Sequence, residues 1–396
     1  MKGARSSLAA LTLVIACAGG GVGCQRDATL GPPDSFQIFA PYYAAGEGAP
    51  AKSASGLPVL AVLPPDDARA APLQKQLAVG FPSEMVRTDY LAKQLVRDAA
   101  VGGHTFPAQA RAAAGEPTLL IVGGGLAPTG EGLAVAGFWG KAVDHPGVPW
   151  VALQRDPESD PALPQSMAGL LARQVARRVA SEAAPDVLVE GYGRAMEVVA
   201  REWRVGEGPQ GALPPDAGTG TQRALFAGVR ENQFVLGTDG APRPAAELLA
   251  DPGVAATIIY RLAQSKSVGR RVGPADVYAP FVADRVPPGV SPAAVLGPFR
   301  NFQVKLLSAW ARAALAGNPP RDIAELLDAY VRSIPGERAE ATRIFVVTTY
   351  GATVKPGGVR SASGADAGAA LPELTALAAE VAAGKRSSRQ ALDSEP

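Results

Sequence analysis

The chain has 396 residues, with 38 basic and 37 acidic side chains and a net charge of +1. That balance argues against nucleic acid as the main partner, since phosphate binding needs a concentrated basic surface. The only two cysteines, Cys17 and Cys24, lie at the start of the chain and only two histidines occur, which excludes a disulfide scaffold, a Cys-ligated zinc site or a cysteine hydrolase in the remainder.

The chain opens with Lys2 and Arg5, followed by the apolar run Leu8 to Ala16. A positive start, an apolar stretch and then small residues is the order of a bacterial secretory signal peptide. The run is too short for a bilayer span, which takes roughly 20 residues. It ends Val14-Ile15-Ala16-Cys17, a phrase that resembles the lipobox of bacterial lipoproteins. The resemblance implies a signal peptide over 1–16, a lipidated Cys17 carrying palmitate, and attachment to the membrane through that N-terminal lipid. It implies residence in the cell envelope, at the outer membrane rather than the inner. Cys24, after Gly21-Val22-Gly23, is the alternative lipidation site. An ordinary cleaved signal with two incidental cysteines is the plain alternative. Several acyl chains together anchor stably where one does not, at about 0.8 kcal/mol per buried CH2.

Residues 17–56 follow as a flexible tether, rich in Gly, Pro and Ser and without periodicity. Within it Gln37 to Tyr43 carries three aromatics and is the stretch expected to dock. Pro58 to Leu63 is apolar and predicts a buried strand, as do Thr118 to Val122 and Val148 to Leu153. Between the first two, Ser83 to Ala100 has the spacing of a helix with Ser83 as its cap. Strand, helix and strand in alternation predict a small α/β unit over 57–155. Two amphipathic helices follow, Gln165 to Ala184 and Asp186 to Trp203, and close an α/β portion spanning 57–205. A Gly/Pro loop covers 206–222. Residues 223–352 predict helices at 245–250, 254–265, 274–284, 292–316 and 320–333, broken by proline pairs. Arg343 to Tyr350 is β-branched and aromatic and predicts a late strand. Residues 353–396 form a Gly/Ser/Ala-rich tail, largely disordered, with a helix at 371–383. The fold class is α+β: a small α/β N-terminal portion, then a helix-rich portion.

Candidate chemistry is sparse. The turn at 123–132 is glycine-rich, but Glu131 follows Gly130 where a phosphate loop needs Lys, and Pro128 stands where a dinucleotide loop needs a small residue. No cofactor is implied. Gly-x-Ser-x-Gly and Ser-x-x-Lys are both absent. His104 follows two glycines and His145 sits in the turn sequence Asp-His-Pro-Gly. Arg270-Arg271 and Lys385-Arg386 are short solvated charge runs, and Phe299, Phe302 and Trp310 fall at core spacing.

One constellation stands apart. Leu170 to Val199 is an apolar-striped helix, a Pro, and a second helix opening Leu188-Val189-Glu190-Gly191. This resembles the active-site helix pair of gluzincin-type zinc metallopeptidases, and it implies a gluzincin-like fold for the helix-rich part. The resemblance places Arg173 at the first-ligand position, Gln174 at the general base, Arg177 at the second ligand and Glu190 at the third. Arginine has no lone pair to give zinc, and an amide cannot take a proton from water. The site so implied is degenerate, with no metal and no catalytic residue. Arg173 and Arg177, one turn apart, are then expected to face Glu190 and replace the metal by a salt bridge. The competing account is two ordinary helices with Glu190–Arg194 and Glu197–Arg201 as surface pairs.

The expected function is a non-catalytic binding or assembly lipoprotein, a pseudoenzyme that holds a protein or peptide partner. A hydrolase with an unrecognised site and a periplasmic small-ligand-binding lipoprotein are the alternatives.

Overall fold

The computed structural model describes residues 36–41, 60–62, 83–98, 100–101, 103–115, 118–122, 138–141, 149–152, 163–180, 184–206, 220–282, 290–351, 354–355, 358–359, 371–385 and 390–391. Cys17, Cys24, His145, the glycine-rich turn at 123–132, the loop following residue 206 and most of the tether and tail lie outside them.

The strands are β1 (Phe36–Pro41), β2 (Leu60–Val62), β3 (Ala100–Val101), β4 (His104–Thr105), β5 (Leu119–Val122), β6 (Phe138–Lys141), β7 (Pro149–Ala152), β8 (Val354–Lys355) and β9 (Gly358–Val359). Five of them pair in the order β2-β1-β5-β7-β6, with β1–β5 and β5–β7 parallel and the two outer pairings antiparallel. Strand β1 falls inside the segment expected to be a tether, and its residues Phe36 to Phe39 pair with β5 (Phe36 opposite Leu119). The aromatic, β-branched content of Phe36, Ile38 and Phe39 outweighs the Gly/Pro character of its surroundings.

The helices are α1 (Ser83–Asp98), α2 (Ala108–Ala113), α3 (Leu163–Ala180), α4 (Asp186–Gly206), α5 (Gly220–Arg230), α6 (Ala245–Leu249), α7 (Pro252–Gln264), α8 (Lys266–Arg270), α9 (Ala275–Val282), α10 (Pro292–Leu315), α11 (Ile323–Ser333), α12 (Arg338–Thr348) and α13 (Leu371–Ala382). The described residues are thus helix-rich. None of these helices is long and apolar enough to cross a membrane.

Two helices sit at the centre. Every residue of α7 from Gly253 to Leu262 is buried, as an apolar helix without a polar face must be. Its start is set by Asp251, whose carboxylate accepts from Gly253 N at 2.6 Å, and by Pro252 at the first helical position. On α10 every residue from Arg300 to Ala311 is buried. That helix is two pieces: Gly297 has φ 75° and ψ 166°, and Pro298 opens the longer piece. Glycine reaches that φ at little cost, and proline there gives up an N–H that would have no partner. Several polar side chains inside α10 find partners, although the Trp310 indole nitrogen is buried without one. Tyr192 donates to Gln303 Oε1, and Ser308 donates to Val277 O at 3.1 Å. The Tyr192 ring meets Trp310 edge-on, with centroids 6.3 Å apart.

The segment expected as a late strand is a helix. Arg343 to Thr348 lies within α12, where Ile344, Phe345, Val346 and Val347 are all buried in succession. Such a run has no alternation to distinguish strand from buried helix. The helix formers Arg338-Ala-Glu-Ala precede it in continuous register, and burial on all sides overrides the β-branched preference. The helix stops where Tyr350 and Gly351 take positive φ and Gly351 N reaches back to Val346 O at 3.0 Å.

Candidate functional site

Helices α3 and α4 form a hairpin, and the register between them determines what each charged side chain meets. Arg173 on α3 donates from Nε to both carboxylate oxygens of Glu190, at 3.0 Å each, and from Nη1 to Glu197 Oε1 at 3.0 Å. One guanidinium therefore holds two carboxylates. The side chains are 17% exposed for Arg173, 35% for Glu190 and 11% for Glu197. Glycines make the room. A Cβ on Gly193 would lie 2.6 Å from Arg173 Cγ, and one on Gly169 would lie 2.1 Å from Glu197 Oε1. Each helix thus sets a glycine opposite the other's charged side chain. On α4 the residues Glu190, Gly193 and Glu197 fall at i, i+3 and i+7, one stripe of a helix.

Of the four positions assigned from the sequence, the structure joins two. Arg173 meets Glu190 as expected. Arg177 does not face Glu190: it donates to Asp186 Oδ1 at 3.2 Å on an exposed surface. The reason is antiparallel register. A step of four residues forward on α3, from 173 to 177, is matched by a step of four residues back on α4, from 190 to 186. One turn back on α3, Gly169 lies against Glu197, seven residues beyond Glu190 on α4. Gln174 is half-buried on α3. The surface pairing of Glu197 with Arg201 is also overturned. Arg201 is buried and stacks over the Phe226 ring, 4.3 Å from its centroid.

Sequence reasoning missed Glu197 as the third member of this cluster. The signal was available in the stripe of Glu190, Gly193 and Glu197 facing Gly169 and Arg173, but only the hairpin register gives it meaning. The electrostatics follow from burial. Burial pushes the Glu197 carboxyl up, and Arg173 pulls it part of the way back. For Arg173 burial acts downward, but Glu197 and Glu190 outweigh it and the guanidinium is held more firmly protonated than in water.

Neighbouring Arg178 turns to the other side of α3. It donates to Asp89 Oδ1 at 3.2 Å and to the Thr118 hydroxyl at 2.8 Å, while Thr118 donates to the same Asp89 oxygen at 2.6 Å. Asp89 is fully buried and Lys93 approaches it at 3.6 Å. This group ties the entry of β5 to α1 and α3.

The donor set around Arg173 does not fit a zinc ion. Only Glu190 and Glu197 offer lone pairs, and both are occupied by a permanent cation. Among the described residues no group of three or more His, Cys, Asp and Glu side chains could hold a metal. His104 is an exposed residue of β4. What the cluster can do is fix the hairpin and present a half-exposed carboxylate at its edge. No protein-family profile, curated protein or solved structure matches this chain.

Proposed function

We propose that this protein is a non-catalytic lipoprotein of the bacterial cell envelope with a binding or assembly role, built on a pseudo-metallopeptidase helix pair. The observation that carries the peptidase part is the place of Arg173. Its guanidinium sits against Glu190, where the resemblance to gluzincins puts the metal. A cation fixed by hydrogen bonds substitutes for a cation fixed by coordination, so the hairpin keeps its packing while losing its chemistry. The mixed sheet of β1, β2, β5, β6 and β7, together with α1, supports reading the N-terminal part as a small α/β portion. The envelope address rests on the Val-Ile-Ala-Cys phrase ending at Cys17.

The decisive experiment restores the metal site. Arg173→His sets an imidazole beside Glu190 and Glu197 and should create zinc affinity on the full chain, read as about one zinc per chain after dialysis. A variant that folds and binds no zinc overturns the reading of this seam as a former metal site. Stoichiometric zinc or peptide cleavage by the unaltered protein overturns the non-catalytic reading. Labelling with a palmitate analogue tests the anchor separately. Cys17→Ser should abolish the label, undiminished label would move the site to Cys24, and no label on the unaltered chain would remove the lipoprotein assignment.

A further inference from the structure

A cavity of about 340 Å3 opens at the junction of α4, α7, α8 and α10, with none of the Arg173 cluster in its lining. Its walls differ in character. Val199 and Phe299 supply an apolar side, and Lys266 and Arg270 supply a basic side. The two cations stand four residues apart on α8, so they share one face of it. Among the described residues neither has an ion-pair partner, whereas Arg173, Arg230, Arg312 and Arg343 each have one. The carboxylates that reach this neighbourhood are engaged by other cations. Glu202 binds Gln264 at 2.8 Å and is paired with Arg230 at 3.1 Å. Glu340 accepts from Ser265 at 2.9 Å and is paired with Arg343 at 2.8 Å.

The arm that bears the two cations is held from below by buried side chains of α10. Lys305, fully buried, donates to Val268 O at 2.5 Å and to Arg271 O at 3.0 Å. Asn301, also fully buried, donates to Gly269 O at 2.8 Å and Arg271 O at 2.9 Å. Gly269 lets the arm close on α10, since a Cβ there would lie 2.8 Å from Pro298 Cβ. Burying a lysine and an asparagine to fix a five-residue arm is costly unless the position of that arm matters.

We propose that this cavity binds an amphiphilic anion, a carboxylate or phosphate on an apolar body, with Lys266 and Arg270 on the anionic group and Phe299 and Val199 against the apolar part. The volume suits a small ligand, and a mixed lining is what such sites show. Two cations at one rim supply charge-assisted hydrogen bonds that a neutral ligand cannot use. Nothing in this inference depends on the peptidase reading, and neither fails with the other.

Titration calorimetry on the full chain tests it with octyl phosphate, octanol and inorganic phosphate as probes. Octyl phosphate should bind one to one with a Kd of about 1 mM or tighter, and both of the other probes at least about tenfold more weakly. Lys266→Gln with Arg270→Gln, both at exposed positions, should weaken octyl phosphate by about tenfold or more and flatten its salt dependence. The idea is overturned if octyl phosphate binds no better than octanol and phosphate, or if the double variant binds it as well as the unaltered chain. Vesicles containing an anionic lipid identify the source of the ligand. Binding that is lost in the same double variant assigns the site to a lipid headgroup, and vesicle binding absent in both proteins assigns it to a free amphiphile.

Discussion

The helical part contains two charged clusters built on opposite terms. In the hairpin of α3 and α4, Arg173 bridges two carboxylates at a partly exposed seam, and one of them, Glu190, keeps a third of its surface in water. Between α10 and the turn that joins α11 to α12, Lys305 and Glu337 are buried to within 1% and meet in the core, where Tyr330 donates to the second oxygen of Glu337. Burial pushes Glu337 up and Lys305 down, each against the pull of its partner. A guanidinium at a seam can hold several acceptors while water screens what is left over. A buried ammonium must satisfy all three of its protons from protein, and Lys305 does so with Glu337 and two backbone carbonyls. The first cluster ties two helices together; the second fastens a surface arm to the core.

The sharpest break in that contrast is Lys305→Met. It leaves Glu337 buried with only Tyr330 and takes the ammonium away from Val268 O, while Arg271 O keeps Asn301, so urea denaturation should show a loss of about 3–5 kcal/mol. Adding Glu337→Leu should recover only part of this, because Val268 O still lacks its donor and the Tyr330 hydroxyl loses its acceptor; full recovery would mean that the arm needs no anchor. Arg173→Ala should cost less, about 2 kcal/mol, since Glu190 can turn to water and Glu197 only partly can. Double-mutant cycles should then give a larger coupling of Arg173 with Glu197 than with Glu190. Equal couplings would remove the distinction between the two carboxylates.

Asp328 on α11 tests the same rule where the counter-charge is weaker. Burial pushes its carboxyl up to about 6, opposed by Arg332, with Asp322 and Glu325 reinforcing the rise. A free aspartate titrates near about 3.9. The folded state therefore favours the protonated form: the stability it contributes is complete below about pH 4 and is lost as pH rises through about 6. Asp328→Asn should accordingly gain about 1 kcal/mol at pH 7–8, after allowance for solvent screening of this half-buried group, and almost nothing at pH 4. A gain independent of pH would show that the carboxylate is not strained by burial. The smallest effect is at Arg177, whose exposed pair with Asp186 should be worth less than about 0.5 kcal/mol and should add independently to Arg173→Ala. Coupling between the two arginines would put Arg177 back on the face of Glu190.

Much of this architecture is legible in the residues alone. Apolar spacing locates α1, α3, α4, α7, α10 and α11 within a few residues, because a helix with one buried face leaves a period of about 3.6 in the chain. Short apolar runs bounded by Gly and Pro mark β2, β5 and β7 for the same local reason. The meeting of Arg173 with Glu190 could also be anticipated, since it follows from a hairpin whose two halves are adjacent in sequence. Contacts between distant segments leave no such mark. Arg343 to Thr348 becomes helix because its whole circumference is enclosed, which β-branched composition cannot report. Glu197 joins Arg173 rather than Arg201 because the antiparallel register and two glycines bring the helices that close. Lys305, lying among apolar neighbours on α10, finds Glu337 and the α8 arm from 32 to 37 positions away. Periodicity records which face of an element is buried; which partner lies across that face is decided only when the elements pack.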